Sequence, residues 1–353
     1  MKFDYVIGNP PYQQETSVEI TTNGQKSRKN IFHYFQMEAD KIAKEGTVLI
    51  YPGGRWIHQS GKGLKQFGLE QMNDYKMKKL HFYPDSKDIF GSIADLSDGV
   101  SIVVKDMNKR TAGFEYIYYK NNNEQSIFID NPGEDLMPLN PEDMVVINKI
   151  NDFVKMYYLD FLHDSILPRS LFGIESDFVS KNEDKVRLYD KEKEYDKEKE
   201  IRLFTNDKAG KSGRAKWYIA NKDVIKQNQQ YISEWQVVVS SANAGGQKRD
   251  NQIEIIDNHS AFGRARVALG SFKTYEEALN FYNYANTYFI KYAFLMTDEA
   301  LTTLGRQVPD LGNYTSKNKI VDFSKDLDEQ LFSLAKFTEK DKDYVKKVVN
   351  NIR

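Results

Sequence analysis

The sequence predicts an α/β fold for the first part of the chain, followed by a second domain of mixed α and β structure. Over residues 1–105, short apolar runs alternate with amphipathic segments, and strand–helix–strand order favours a sheet with right-handed crossovers. Beyond residue 143 the pattern is less regular and closes with helical segments. A length of 353 residues suits about two domains of ordinary size.

The first predicted elements are a strand, a loop and a helix. The apolar run at residues 3–9 predicts a buried strand that stops abruptly at Gly-Asn-Pro-Pro. Residues 13–30 are polar and aperiodic, which predicts a mobile loop. A helix should then start at a capping Ser27 or Asn30 and stop near Gly46. Helical spacing predicts that it buries Ile31, Phe35, Ala39 and Ile42.

Three more strands and a helix complete the first predicted domain. The runs at 47–51, 77–83 and 99–105 are short and apolar, and a helix is expected between Leu64 and Asn73. No helical segment separates the last two strands, so that pair is expected to be antiparallel.

The second part of the chain begins after a boundary rich in Asn, Pro, Gly and acidic residues. We therefore predict a catalytic domain over residues 1–120, a linker over 121–143 and a second domain over 144–353. Residues 181–202 carry dense mixed charge, which is typical of a solvated hairpin or helix. Residues 275–294 predict a strong amphipathic helix, and one or two closing helices follow.

Composition excludes several classes of protein. With no cysteine, the chain has no disulfide framework, zinc ribbon or thiol nucleophile. The five histidines show no metal-ligand spacing, so no metal site is expected. No apolar run approaches the about 18 residues that span a bilayer, and the N-terminal apolar stretch is too short for a signal peptide. We expect a cytoplasmic protein without a membrane partner.

The most informative motif is Asn9-Pro10-Pro11-Tyr12, at the end of the first strand. Ligands of α/β sheets bind beyond the carboxyl ends of strands, and two prolines hold the chain direction rigidly there. The Asn9 side chain and the Pro10 carbonyl then offer two acceptors that suit a planar amino group with two N–H donors. Accepting both protons aims the nitrogen lone pair at an electrophile, while the Tyr12 ring can stack on a flat substrate.

The same four residues are also compatible with a strand-terminating turn that buries a tyrosine, since short motifs often match by accident. The apolar strand directly before the motif, with the amphipathic helix and second buried strand after it, favours the functional interpretation.

The segment FDYVIGNPPYQ resembles motif IV of S-adenosylmethionine-dependent amino-methyltransferases, most closely the adenine-N6 DNA methylases of restriction–modification systems. This resemblance implies a partial Rossmann-like methyltransferase sheet, followed by a mixed α+β target-recognition domain at SFKTYEEALNFYNYANTYFIKYAF and VPDLGNY. It implies methyl transfer to a flipped adenine, with catalytic Asn9, Pro10, Pro11 and Tyr12, and with Pro11 also on the cofactor side. MKKLHFYPDSKDIF is similar to the hairpin that stacks on the flipped base, which makes Phe90 the first and Tyr83 the second candidate. A core position is the alternative for Phe90.

The glycine-rich cofactor loop that such methylases place upstream of this motif is not evident. Only eight residues precede Asn9, and the glycines of residues 60–68, 261–271 and 304–312 do not follow convincing strands. We expect the chain to correspond to the second half of a methylase. Either a partner polypeptide supplies the cofactor half, or the chain is truncated or split, or it is a DNA-binding remnant without activity. Missing strands would also leave an exposed sheet edge.

Contacts to double-stranded DNA are expected in residues 205–270, which carry a net charge of +4. Polar, glycine-containing loops there allow close approach to phosphates, and Gln247, Arg249, Asn251 and Gln252 could read base edges. Solvated loops without a ligand are the alternative. The candidate DNA-binding residues are Lys208, Lys211, Arg214, Lys248, Arg249 and Arg264.

Two other functions remain open at this point. One is a non-catalytic DNA-recognition subunit that needs a partner polypeptide. The other is methylation of RNA or of protein glutamine, because the same four-residue motif serves those amino groups. The large second domain disfavours the protein substrate, since a small glutamine methylase has no comparable extension.

Overall fold

A computed structural model describes residues 2–20, 26–58, 63–92, 96, 98–120, 123–130, 137–210, 212–297 and 301–351. The chain forms two compact units, Met1–Val145 and Val146–Arg353. The first is an α/β unit, as predicted. No helix among the described residues is long and apolar enough to cross a membrane.

The first unit contains a six-stranded mixed sheet in the order β1-β4-β6-β5-β7-β8 and a separate hairpin, β2–β3. Its strands are β1 (Phe3–Gly8), β2 (Gln13–Ile20), β3 (Lys26–Asn30), β4 (Ala43–Pro52), β5 (Met77–Tyr83), β6 (Val100–Asp106), β7 (Phe114–Lys120) and β8 (Asn123–Ile129). Its helices are α1 (Phe32–Ile42), α2 (Arg55–His58), α3 (Lys65–Met72) and α4 (Lys87–Phe90), and α5 (Pro141–Met156) crosses into the second unit.

Strand directions bring several strand ends to one edge of this sheet. β1 is parallel to β4, and β5 is parallel to β7, while β6 is antiparallel to both β4 and β5. The antiparallel β5–β6 pair confirms the prediction for that pair. The carboxyl ends of β1, β4, β5 and β7 therefore share one edge, which is where sites of α/β sheets lie.

Two local predictions near the motif are wrong. Residues 13–20 and 26–30 pair as the antiparallel β2–β3 hairpin rather than forming a loop. Helix α1 starts after Ile31 without a side-chain cap and buries Phe32, Gln36 and Ala39, whereas Phe35 is exposed. The buried face of α1 therefore differs from the predicted one. It includes the polar residue Gln36, which a prediction from hydrophobic spacing leaves out.

A buried polar network joins α1 to the sheet. Lys105 on β6 is almost completely buried, and its ammonium lies 2.8 Å from both Asp40 and Asp74. Gln36 donates to Asp40 at 2.5 Å and accepts a hydrogen bond from the Tyr51 hydroxyl. Burial by itself raises the pKa of Asp74. The hydrogen bond and positive charge of Lys105, together with the hydrogen bond from the Lys76 amide, lower it by more, so the pKa lies below its usual value.

The second unit contains a four-stranded sheet, β10-β12-β11-β15, a three-stranded sheet, β14-β13-β16, and the short pair β17-β9. Its strands are β9 (Asp160–Phe161), β10 (Val186–Leu188), β11 (Glu200–Asn206), β12 (Ala215–Asn221), β13 (Trp235–Ser240), β14 (Glu254–Ile256), β15 (Ser260–Phe262), β16 (Arg266–Phe272) and β17 (Pro309–Asp310). Its helices are α6 (Phe178–Lys181), α7 (Tyr275–Ala285), α8 (Tyr288–Leu295), α9 (Leu327–Leu334) and α10 (Glu339–Asn350).

The long amphipathic helix predicted over residues 275–294 is two helices. Thr287 interrupts it: its backbone is extended, its hydroxyl donates to the Tyr284 carbonyl at 2.8 Å, and it accepts from the Ile290 amide at 3.2 Å. That cap starts α8 in a new direction. Residues 123–129, inside the predicted linker, form β8 and pair with β7 in the first unit.

Candidate functional site

The Asn-Pro-Pro-Tyr motif begins directly after β1, at the sheet edge where four strands end. Pro10 is buried, whereas Asn9 and Pro11 are exposed. The Tyr12 carbonyl accepts a hydrogen bond from the Ile31 amide at 3.0 Å, which ties the motif to the start of α1. One end of the motif therefore continues a paired strand, and the other end is anchored to a helix.

The Tyr12 side chain is half-buried against the core of the first unit. Its hydroxyl is inaccessible to solvent and has no hydrogen-bond partner. Burial raises the pKa of the Tyr12 phenol, and the Asn9 side chain partly offsets that rise. Asn9 is thus near the phenol oxygen, but their geometry falls short of a hydrogen bond that would satisfy it.

The two acceptors that the sequence predicts at this site differ in their surroundings. The Pro10 carbonyl accepts no backbone hydrogen bond from the described residues. Asn9 is an exposed residue, and its side chain interacts with the Tyr12 hydroxyl, which lowers the pKa of that phenol. A ligand with two N–H donors could approach both acceptors from solvent.

The neighbouring strand ends in a tight turn at the same edge. The Gly53 amide donates to the Gly99 carbonyl at 2.7 Å, and Gly54 donates to Asp98 at 2.8 Å. Gly53 has a φ of +66°, and a Cβ there would lie 2.5 Å from the Asp98 Cβ. Only glycine fits this position, so the end of β4 is held close to the chain that enters β6.

The two predicted base-stacking residues lie on and just after β5. Phe90 is the last residue of α4, is partly exposed and has no ring contact among the described aromatic residues. The Tyr83 ring stacks on Tyr119 at 4.2 Å between ring centroids, with an interplanar angle of 4°. One face of Tyr83 is therefore occupied by another ring, whereas no aromatic ring among the described residues stacks on Phe90.

Pro11 is exposed directly after β1, so a cofactor at this end of the strand could contact it. Among the described strands, β1 is paired only with β4. The acceptors at Asn9 and Pro10 suit the substrate side of a methyl-transfer site.

The predicted DNA-binding residues lie on three loops of the second unit. Lys208 and Arg214 are exposed around the β11–β12 turn, and Lys211 lies outside the described residues. Lys248 and Arg249 are exposed between β13 and β14. Arg264 is partly exposed, and its guanidinium lies 2.7 Å from Glu175.

Arg266 links two of these loops and is absent from the predicted set. Its guanidinium is almost completely buried and lies 4.7 Å from the centre of the Phe204 ring. Burial lowers the pKa of Arg266, and the nearby charge of Arg249 lowers it further. The 241–253 loop is therefore close to the strand that leads into the β11–β12 turn.

An aromatic and cationic ladder continues from there across β11 and β12. Phe204 stacks on Trp217 with ring centroids 4.9 Å apart, and Arg202 lies 5.2 Å from the Trp217 ring and 5.4 Å from the Tyr189 ring. Arg202 and Phe204 are two residues apart on β11, so both side chains lie on the same face of that strand. This spacing is visible in the sequence. Arg202 also pairs with Asp257, and Phe204 is buried in a hydrophobic core, so these contacts stabilise the second unit rather than present a free charge to a ligand.

Comparison with known proteins finds one family model that matches the first part of the chain. Residues 1–90 match the Eco57I restriction-modification methylase family, which confirms the resemblance expected from the sequence. The first part of the chain is thus related to restriction–modification methyltransferases. No curated protein matches the chain.

Three solved structures are similar over part of their length. A type I restriction-modification methyltransferase subunit from Streptococcus thermophilus is 17% identical, with a TM-score of 0.23, over 35% of this chain and 29% of its own. The type IIG restriction endonuclease BpuSI and the type IIL enzyme MmeI, the latter in complex with DNA, are 10% and 7% identical, with TM-scores of 0.39 and 0.37. BpuSI and MmeI are each aligned over 99% of this chain and 53% of their own length. The chain therefore spans about half or less of these three proteins.

Proposed function

We propose that this chain is the catalytic-loop and DNA-recognition part of a restriction–modification methyltransferase that methylates the N6 amino group of adenine in double-stranded DNA. The observation that carries the proposal is the position of two acceptors, the amide of the exposed Asn9 and the Pro10 carbonyl, directly after β1 within residues 1–90, which match a methylase family. An exocyclic amine with two N–H donors is the ligand that this pair fits.

The mechanism assigned to these residues is orientation of a neutral nucleophile. The Asn9 amide oxygen and the Pro10 carbonyl each accept one N–H of the adenine amine, which draws the nitrogen lone pair out of the ring and directs it at the methyl group. The buried Pro10 and the Tyr12–Ile31 hydrogen bond keep both acceptors in place. Tyr12 stacks on the flipped base, and Phe90 is proposed to cover the other side.

S-adenosylmethionine, when bound, supplies the electrophilic methyl group. Within this chain Pro11 is proposed to line the cofactor side, because it is exposed at the end of β1. The remaining wall is proposed to come from another polypeptide segment that carries the cofactor-binding loop.

The second unit is proposed to hold the duplex while the adenine is flipped out. Flipping costs a few kcal/mol of unstacking, so the enzyme needs additional contacts to phosphates and base edges. Lys208, Lys211, Arg214, Lys248, Arg249 and Arg264 are the candidates.

Expression in a bacterium that lacks adenine methylation tests this function. The gene is introduced together with the coding sequence immediately upstream, and N6-methyladenine in genomic DNA is measured by mass spectrometry. We expect the wild type and an Asn123→Ala control, which removes an exposed asparagine on β8, to produce the mark, and Asn9→Ala to abolish it. Persistence of the mark in Asn9→Ala, or methyl groups only in RNA or on glutamine, would show that the proposal is wrong.

A further inference from the structure

Arg55 is the first residue of α2 and directly follows the glycine turn that ends β4. β1 and β4 are parallel neighbours, and Gly8, the last residue of β1, is the register partner of Leu49. β4 continues to Pro52, and at a rise of about 3.3 Å per residue its end lies about 10 Å beyond the level of Gly8. A nucleotide whose amine is held at Asn9 must extend outward past this strand end, because the sheet lies on the inner side.

The Arg55 guanidinium is held from one side by Asp98. Its Nε is inaccessible to solvent and lies 2.8 Å from the Asp98 carboxylate, in an ion pair rather than an aligned hydrogen bond. The Arg55 side chain is 38% exposed as a whole, so its exposed area lies on other atoms. No hydrogen bond to a described residue uses Nη1 or Nη2. These two nitrogens therefore form a planar fork of N–H donors next to the projecting strand end.

Backbone geometry fixes Asp98 opposite Arg55. The Asp98 carbonyl accepts a hydrogen bond from the Gly54 amide at 2.8 Å. Gly99, the next residue, has a φ of +73°, and a Cβ there would lie 2.3 Å from the Tyr83 carbonyl oxygen. Exposed ion pairs add little to stability, so stability alone does not account for a guanidinium that is oriented in this way.

A positively charged fork of N–H donors is complementary to two oxygens of a phosphate or a carboxylate. When a nucleotide is flipped, its sugar and phosphate turn about the backbone, and contacts to the phosphates hold the new position. The fork follows the part of β4 that projects beyond Asn9, which is where the backbone of a nucleotide held by its base must lie. The position of Arg55 therefore favours a DNA phosphate over a carboxylate.

We propose that Arg55 binds a phosphate that flanks the target adenine, and that Asp98 is the positioning residue that orients its guanidinium. Nη1 and Nη2 each donate to one phosphate oxygen, while Asp98 occupies the Nε side and so keeps the fork turned toward the DNA backbone. This inference rests on the proposed function, because an amine held at Asn9 defines where the phosphate must lie.

Neutralising single phosphates tests this contact. The chain, expressed together with the coding sequence immediately upstream, selects a duplex from a random pool, and each phosphate of that duplex is replaced in turn by an uncharged methylphosphonate. At one phosphate beside the methylated adenine, we expect the replacement to weaken binding by the wild type at least about tenfold. The same replacement should change binding by Arg55→Ala less than about twofold.

Lys79→Ala is the matched control. Lys79 lies 2.7 Å from Glu115 and is 40% exposed, which is close to the exposure of Arg55, but it is near the amino end of β5. This variant should keep the full effect of the methylphosphonate. Asp98→Ala distinguishes a positioning residue from an ordinary surface acid. Loss of an ordinary acid should strengthen DNA binding and leave the methylphosphonate effect unchanged, whereas we expect that effect to fall below about threefold.

Four results would overturn the assignment of Arg55. These are a full methylphosphonate effect in Arg55→Ala, an unchanged effect in Asp98→Ala, weaker S-adenosylmethionine binding by Arg55→Ala without altered phosphate sensitivity, and a chain that selects no duplex. If Arg55→Ala does not fold in a thermal melt, Arg55→Lys decides, because it keeps the charge without the fork, and a full effect in that variant contradicts the proposal. Coupling between Arg55 and the phosphate without N6-methyladenine refutes only the proposed function, and N6-methyladenine without coupling refutes only the phosphate contact.

Discussion

Replacing Tyr12 with phenylalanine should stabilise the first unit. The Tyr12 hydroxyl is buried without a hydrogen-bond partner, and an unsatisfied buried polar group costs about 1–3 kcal/mol. The Asn9 side chain interacts with this hydroxyl, because it lowers the pKa of Tyr12. We therefore expect Tyr12→Phe to gain about 1 kcal/mol, at the low end of that range, while keeping the ring that is proposed to stack on the base.

Hydrogen exchange of the β4 amides measures this gain, because it follows the first unit without assuming that both units unfold together. A gain of about 1 kcal/mol corresponds to about fivefold slower exchange through global opening. Tyr5→Phe is the matched control, since the Tyr5 side chain is 65% exposed and should give no change. Faster exchange in Tyr12→Phe would refute the reasoning, because it would mean that the hydroxyl is satisfied in the folded protein.

Three further predictions concern other parts of the chain. Lys105→Met should cost about 3 kcal/mol at pH 7, measured by hydrogen exchange of the first unit, because it removes the ammonium partner of two partly buried carboxylates, Asp40 and Asp74. Ionised Asp74, whose folded pKa is lowered, contributes stability above about pH 4 and loses it as pH falls through the folded pKa, so the cost should shrink in acid. Thr287→Ala should lower stability by about 1 kcal/mol in a thermal melt through loss of the α8 cap. Arg249→Ala should weaken duplex binding and lower the slope of the logarithm of the binding constant against the logarithm of salt concentration by about one. The folded chain should lose no stability, because the substitution removes a like charge that repels the buried Arg266.

Four strands of the first unit, β1, β4, β5 and β6, were predictable because they are short apolar runs bounded by glycine or proline, whereas β2, β3, β7 and β8 were not predicted. The predicted run at 77–83 coincides with β5, and the run at 99–105 differs from β6 by one residue at each end. Helix α1 was harder, because its buried face includes Gln36, whose amide is satisfied by Asp40 and the Tyr51 hydroxyl. Such a pairing depends on tertiary structure, which hydrophobic spacing does not contain.

The candidate site shows the same division. The motif at Asn9 could be located from sequence, since two prolines after an apolar strand are a local signal. Sequence alone does not distinguish Arg266 from the other nine basic residues of residues 205–270. Its burial and its contact with the Phe204 ring depend on a second strand, β11. The assignments of Phe90 and of the individual DNA contacts remain predictions.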